Sequence, residues 1–191
     1  MARTPSTMLP LGTPAPSFSL PEPASGKTVN LADFAGRPLV VTFICNHCPY
    51  VKHIAAKLAE LADRYHGKDV DFVAINSNDV ANYPDDSPEK MIDFIRDYRI
   101  GFPYLYDESQ AVAKAYHAAC TPDFFLFDAD QKLAYRGQFD SARPGNDLPV
   151  TGADLEDAIK ALIAHIAIPD EQIPSLGCNI KWKPGNEPDY F

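Results

Sequence analysis

Leu39-Val40-Val41-Thr42-Phe43-Ile44-Cys45-Asn46-His47-Cys48-Pro49-Tyr50-Val51 joins three signals in one stretch. The first six residues are apolar or β-branched, the pattern of a short strand buried on both faces. Two cysteines separated by two residues follow at once. Beyond them Val51, Ile54, Ala55, Leu58, Leu61, Ala62 and Tyr65 recur at helical spacing, and Gly67 stands where a helix stop is expected. The run Val70-Asp71-Phe72-Val73-Ala74-Ile75-Asn76 predicts a second strand. Strand, helix and strand in that order predict a right-handed parallel crossover, with the cysteine pair at its first strand-to-helix turn.

The same signals extend outward. Residues 1–23 are rich in Pro, Ser and Thr and read as an extended lead-in. Ser25-Gly26-Lys27 reads as a turn, 28–30 as a short strand and 31–37 as a loop. After the crossover, a polar loop spans 77–86. Ser87-Pro88-Glu89 then predicts an N-cap with proline at the first helical position. Met91, Ile92, Phe94, Ile95 and Tyr98 supply that helix's apolar face. Residues 103–107 read as extended and 109–118 as a short helix. Residues 124–127 and 133–139, joined by a turn at 128–132, predict an antiparallel hairpin whose second strand alternates and so has one wet face. A Gly/Pro loop covers 141–152, and Leu155, Ile159, Leu162, Ile163 and Ile166 mark the last helix.

At 191 residues the chain is long enough to bury a core without disulfide staples. It reads as one domain, 1–168, with a tail, 169–191, packed on it. Its 46 % hydrophobic and 23 % charged residues are ordinary globular values and exclude disorder throughout. A net charge of −9, with no long Lys/Arg run, disfavours nucleic acid and anionic membranes as partners. No apolar run approaches the length of a membrane span. Prolines interrupt the N-terminal stretch before a signal peptide's apolar segment forms, so the expected compartment is the cytoplasm. Thiols stay reduced there. Cys45, Cys48, Cys120 and Cys178 are therefore expected to be catalytic, metal-binding or buried inert thiols, not a disulfide framework.

A Cys-x-x-Cys motif serves zinc as well as redox chemistry. Its position between a strand and a helix favours redox chemistry. A helix N-terminus offers unpaired N–H groups and the positive end of the dipole, which stabilise a thiolate, the reactive form of cysteine. On that ground Cys45 is expected to be the exposed, attacking thiol. Cys48, in the first turn, would attack the resulting mixed disulfide. His47, as an imidazolium, would lower the Cys45 pKa further and place the couple above the roughly −270 mV of thioredoxin; the plain alternative is a solvated loop histidine. A zinc site from Cys45, Cys48, His47 and His53 fits poorly, because His47 is held between the cysteines. No metal and no cofactor is expected. Asp79, Asp85, Asp86, Asp128 and Asp130 are expected on a solvated surface, and their spacing is not that of a calcium loop.

Strand, Cys-x-x-Cys, long helix and strand, with Thr121-Pro122 just ahead of Phe124-Phe125-Leu126-Phe127-Asp128, resembles the thioredoxin superfamily. Leu11-Gly12-Thr13-Pro14-Ala15-Pro16-Ser17-Phe18-Ser19-Leu20 resembles the opening of redoxin and peroxiredoxin domains. Residues 46–53, 78–84 and Gly177-Cys178 resemble the peroxiredoxin-like redoxins of the alkyl hydroperoxide reductase and thiol-specific antioxidant branch. The resemblance spans roughly Gly12 to Ile166. It implies an α/β thioredoxin fold, a central mixed sheet flanked by helices on both faces, with an extended C-terminal tail. It also implies a cis Thr121-Pro122 bond facing the cysteines, with the Thr121 backbone available to substrate main chain. The implied activity is thiol–disulfide exchange on a disulfide-bearing protein or small thiol, with re-reduction by a thioredoxin or glutathione system; a homodimer is compatible.

The chain also departs from the family patterns. Peroxiredoxins carry Pro-x-x-x-(Thr/Ser)-x-x-Cys, and aligning Cys48 there puts Cys45 and Val41 in place of the Thr/Ser and the proline. Asp123 follows Pro122, near where a supporting arginine is expected. A thiol peroxidase reducing hydroperoxides is therefore the alternative function, and a non-catalytic redox-sensing or metal-binding module a third. Thioredoxins often bury an acid on the strand before the motif; here Thr42 is the only polar candidate. Cys120 adjoins the Thr121-Pro122 loop and is either a third thiol near the pair or a small buried hydrophobe. Cys178 either folds back as a resolving thiol, for Cys45 or for a partner chain, or packs in the tail beside Ile180 and Trp182.

Overall fold

The computed structural model describes residues 3–190. Met1-Ala2 of the lead-in and Phe191 of the tail lie outside the described residues. The elements are β1 (Arg3–Pro5), β2 (Ser19–Glu22), β3 (Lys27–Asn30), β4 (Leu39–Phe43), α1 (Pro49–Tyr65), β5 (Asp71–Asn76), α2 (Pro88–Tyr98), β6 (Tyr104–Tyr106), α3 (Ala111–Ala115), β7 (Cys120–Thr121), β8 (Asp123–Phe127), β9 (Leu133–Gly137), α4 (Ala153–Ile163) and β10 (Leu176–Asn179).

The central sheet runs β6-β5-β4-β8-β9. β4, β5 and β6 are parallel, while β8 pairs antiparallel with both β4 and β9. β4 is buried along its whole length, as its apolar run requires. Its residues alternate between two cores, because successive strand side chains point to opposite faces. Val40 joins Phe72, Ala74, Phe124 and Leu126 under α1, α2 and α4. Leu39, Val41 and Phe43 join Val73, Ile75, Phe125 and Phe127 under α3 and the N-terminal segment. This is the mixed-sheet thioredoxin fold with both faces covered.

Several boundaries differ from the sequence expectation for identifiable reasons. The lead-in contains strands: β2 pairs with β3, and β1 lies against β10 in a second sheet ordered β1-β10-β7. The expected loop 31–37 opens with a 3-10 turn at Leu31–Phe34, where the Asp33 carboxylate accepts the Asn30 amide at 2.8 Å. Helix α3 is only Ala111–Ala115, because His117 turns to a φ of 51° just beyond it. β9 stops at Gly137, since the Gln138 amide donates to Ile173 O at 2.8 Å instead of continuing the ladder. α4 ends at Ile163, and His165 at φ 54° leaves Ile166 exposed. Ser87 caps α2 as expected, its hydroxyl oxygen accepting the Lys90 amide at 3.4 Å.

Candidate redox site

The parallel strands β4 and β5 end at the same edge, and the functional side chains collect there. Residues 45–47 form the turn out of β4, and Cys48 is the N-cap of α1, with Pro49 next. Across from them the Thr121-Pro122 bond is cis, as expected. Cys45 Sγ lies 3.4 Å from Thr121 Oγ1, and Cys48 Sγ lies 3.2 Å from Thr121 O. Both sulfurs thus lie against the same residue, Thr121.

Two expectations for the pair need correction. Cys45 is not an exposed end: it is 1 % exposed and Cys48 0 %. Nor is Cys45 the stabilised thiolate. Burial, the hydrogen bond with Cys48 and the negative field of Asp86 all hold its pKa well above the ordinary thiol value. Cys48, at the cap, has its pKa lowered, chiefly by the neighbouring Cys178 and Cys45 sulfhydryls, and as a thiol it donates to Thr121 O. The residue at the helix N-cap is the second cysteine, Cys48.

Asp86 was expected on a solvated surface and is instead fully buried. Its carboxylate accepts the Asn46 amide at 2.8 Å, the His47 amide at 3.1 Å, His47 Nδ1–H at 2.6 Å and Asn78 Nδ2–H at 2.7 Å. It thereby fastens the loop between the two cysteines to the end of β5. A 3-10 turn at Pro84–Asp86 aims the carboxylate inward, with Asn76 Nδ2 donating to Asp86 O at 2.7 Å. His47 is one-fifth exposed, stacks on Tyr83 and has its pKa raised by the Asp86 bond. Its imidazolium is thus paired with Asp86, and Nδ1 lies 4.0 Å from Cys45 Sγ. Asp79 is buried as well, accepting Asn82 Nδ2–H at 2.5 Å.

The other two cysteines separate. Cys178, on β10, is 1 % exposed and packs in the same buried cluster as Cys48, whose sulfur raises its pKa. β10 pairs with β7 so that Cys178 lies opposite Thr121 and Asn179 opposite Cys120. The Thr121 backbone, expected to be open to substrate, is therefore engaged by the chain's own tail. Cys120 is fully buried beside Pro122 O, and burial raises its pKa. Asp123, next to the cis bond, is fully buried too; burial pushes its carboxyl up to about 7 against donors including Ser6 and the Ala119 amide. Thr42 is buried, and among the described residues its hydroxyl has no hydrogen-bond partner.

Among the described residues, one group could hold a metal ion: Cys45, His47 and Asp86, with one ligand atom each within 4.8 Å. His53 is not part of it. A metal there would have to displace the 2.6 Å His47–Asp86 hydrogen bond, which occupies two of the three ligand atoms. Among the same residues, no helix is long and apolar enough to cross a membrane.

Residues 10–155 match the Redoxin family model. The chain belongs to the redoxin family. A thiol–disulfide oxidoreductase, ResA, of Bacillus thuringiensis is 26 % identical over 123 residues, 64 % of this chain. The alignment spans 66 % of the length of that ResA, just under two thirds. A Mycobacterium tuberculosis protein that carries a peroxiredoxin name is 33 % identical over 60 % of this chain and 68 % of its own. The crystal structure of an uncharacterised conserved protein of Geobacillus kaustophilus matches with a TM-score of 0.94 and 52 % identity, covering 97 % of this chain and 98 % of that one.

Proposed function

We propose that this redoxin is a thiol–disulfide oxidoreductase whose redox couple is Cys45 and Cys48. The observation that carries the reading is the pair of cysteine sulfurs at the N-terminus of α1, both within 3.4 Å of Thr121 in the cis Thr121-Pro122 loop.

In the forward step Cys45 Sγ attacks one sulfur of a substrate disulfide, and its proton goes to the other substrate sulfur. That sulfur leaves as a thiol. Cys48 then attacks Cys45 Sγ, closes the Cys45–Cys48 disulfide and releases the second substrate sulfur; its proton goes to the departing thiolate. The His47 imidazolium, 4.0 Å from Cys45 Sγ, offsets negative charge at the reacting sulfurs. The Thr121 hydroxyl, at 3.4 Å, positions Cys45. The substrate class is a disulfide-bearing protein or small disulfide, and a thioredoxin or glutathione system returns the dithiol. We place the activity in the cytoplasm, where neighbouring thiols are kept reduced.

The peroxidase alternative draws on the mycobacterial relative and on the Cys48 thiolate, which would form a sulfenic acid with hydroperoxide. The two are separated by assay. Under the exchange reading, wild-type protein with dithiothreitol reduces insulin disulfides, Cys45→Ser and Cys48→Ser do not, and peroxide consumption stays at the background rate. Fast peroxide consumption that survives Cys45→Ser assigns the peroxidase, and inertness in both assays assigns a non-catalytic module.

A further inference from the structure

The tail strand β10 takes the position beside the cis-proline loop that a substrate backbone would need. Its Cys178 pairs across from Thr121, whose carbonyl accepts the Cys48 thiol at 3.2 Å, and Cys48 and Cys178 share one buried cluster. This approach is built in. At Gly177 even one added carbon would fall 2.1 Å from Thr121 O, so only glycine lets β10 lie this close. The strand is held from the other side by β1, with Arg3 opposite Cys178. Beyond it, the Lys181 amide donates to Asn78 Oδ1 at 2.8 Å, tying the tail to the loop that also carries Asp86.

We propose that Cys178 is a third redox thiol, which exchanges with the oxidised pair to give a Cys48–Cys178 disulfide and return Cys45 to the reduced state. The inference rests on the Cys45–Cys48 couple proposed above, which supplies the oxidising equivalent. In the exchange, the Cys178 sulfur attacks Cys48 Sγ, the Cys45–Cys48 bond breaks, and the Cys48–Cys178 bond forms. The Cys178 proton ends on the Cys45 sulfur, and no electron leaves the protein.

The electrostatics give the step an order. In the reduced protein the neighbouring Cys48 sulfur is the largest influence keeping Cys178 protonated, ahead of burial, while Lys181 opposes both. Oxidation of the pair removes the first of these, so Cys178 gives up its proton more readily once Cys48 has been oxidised. The product ties α1 to the tail, closes the groove to a second polypeptide and leaves Cys45 ready for a small thiol or disulfide. Cys120, directed at Pro122 O, takes no part.

The test is disulfide mapping by mass spectrometry on the full chain, with Cys45→Ser and Cys178→Ser, after oxidised glutathione and an acid quench. In Cys45→Ser, Cys48 is expected to pair with Cys178, and Cys178 alkylation after denaturation should fall to less than about a tenth of the reduced level. The wild type should yield both Cys45–Cys48 and Cys48–Cys178, and Cys178→Ser only the first. Glutathione retained on Cys48 in Cys45→Ser, with Cys178 still fully alkylated, overturns the inference while leaving the couple intact. If Cys45→Ser does not fold, the wild-type map decides: a crosslink between α1 and the tail supports the exchange, and its absence after full oxidation overturns it. Lack of Cys45–Cys48 in both wild type and Cys178→Ser overturns the couple itself, and the exchange with it.

Discussion

Replacing Asp86 by asparagine isolates the device that shapes the cysteine loop. The substitution keeps one acceptor oxygen for the Asn46 and His47 amides. It turns an NH2 group toward His47 Nδ1–H and Asn78 Nδ2–H, two donors now at 2.6 and 2.7 Å from the carboxylate. Two charge-assisted bonds are lost, at about 1.5–3 kcal/mol each, so about 3–6 kcal/mol of stability should go. For a chain of this size each kcal/mol moves Tm by about 2–4 °C, which predicts a fall of at least about 6 °C. The His47 contribution has a defined pH dependence. Because the Asp86 bond raises the His47 pKa, its stabilisation is fully present below about pH 6.5 and fades as pH rises through the raised value. The gap between wild type and Asp86→Asn should therefore be wider at pH 6 than at pH 9. Thermal or urea unfolding at the two pH values, with NMR titration of the His47 ring, measures both effects. A Tm within about 2 °C of wild type together with an unchanged His47 titration would refute the assignment of Asp86 as the anchor.

Three further outcomes follow from the same geometry. Burial raises Asp123 to about 7, so its folded form prefers the proton and stability should decline from about pH 4 through pH 7, by roughly 4 kcal/mol. Asp123→Asn should flatten that stretch of the stability–pH curve, and a slope equal to wild type would show that Asp123 is not its source. Gly177→Ala forces β10 off Thr121 and should cost about 1–3 kcal/mol, with faster proteolytic removal of the tail; a tail as resistant as wild type would show that the close approach is dispensable. Stabilising the Cys48 thiolate favours the reduced form, so glutathione equilibration should give a potential above about −270 mV, and a value well below it would contradict the charge assignment.

The crossover from β4 through α1 to β5 was legible because each piece is a local pattern: an unbroken β-branched run, helical spacing, and proline and glycine at the helix ends. The motif's placement followed from it, and the Thr121-Pro122 geometry followed from the family resemblance. Asp86 was missed because its partners in the cysteine loop lie 39 and 40 residues away in sequence, and an acid in a polar loop looks solvated. A signal was present. Asn76 ends a buried strand, with Asn78 and Asp79 just beyond it, and that strand's parallel neighbour leads into the cysteine motif; polar residues at that sheet edge gather where sites form. That Cys48 and not Cys45 is the cap residue was not legible, because helical spacing does not tell the cap from the residue three positions earlier. The seat of Cys178 depends on pairing β10 with β7 across more than fifty residues, which no local pattern encodes.

The central claim is that Cys45 and Cys48 are one two-electron couple. The most direct test is equilibration of the full chain in glutathione buffers of graded potential, with acid trapping and mass mapping of both residues. The account predicts that Cys45 and Cys48 lose their thiols together, at one midpoint, as a single intramolecular disulfide in the Cys178→Ser background. Separate midpoints, glutathione retained on either sulfur, or two thiols that resist oxidation throughout would contradict it.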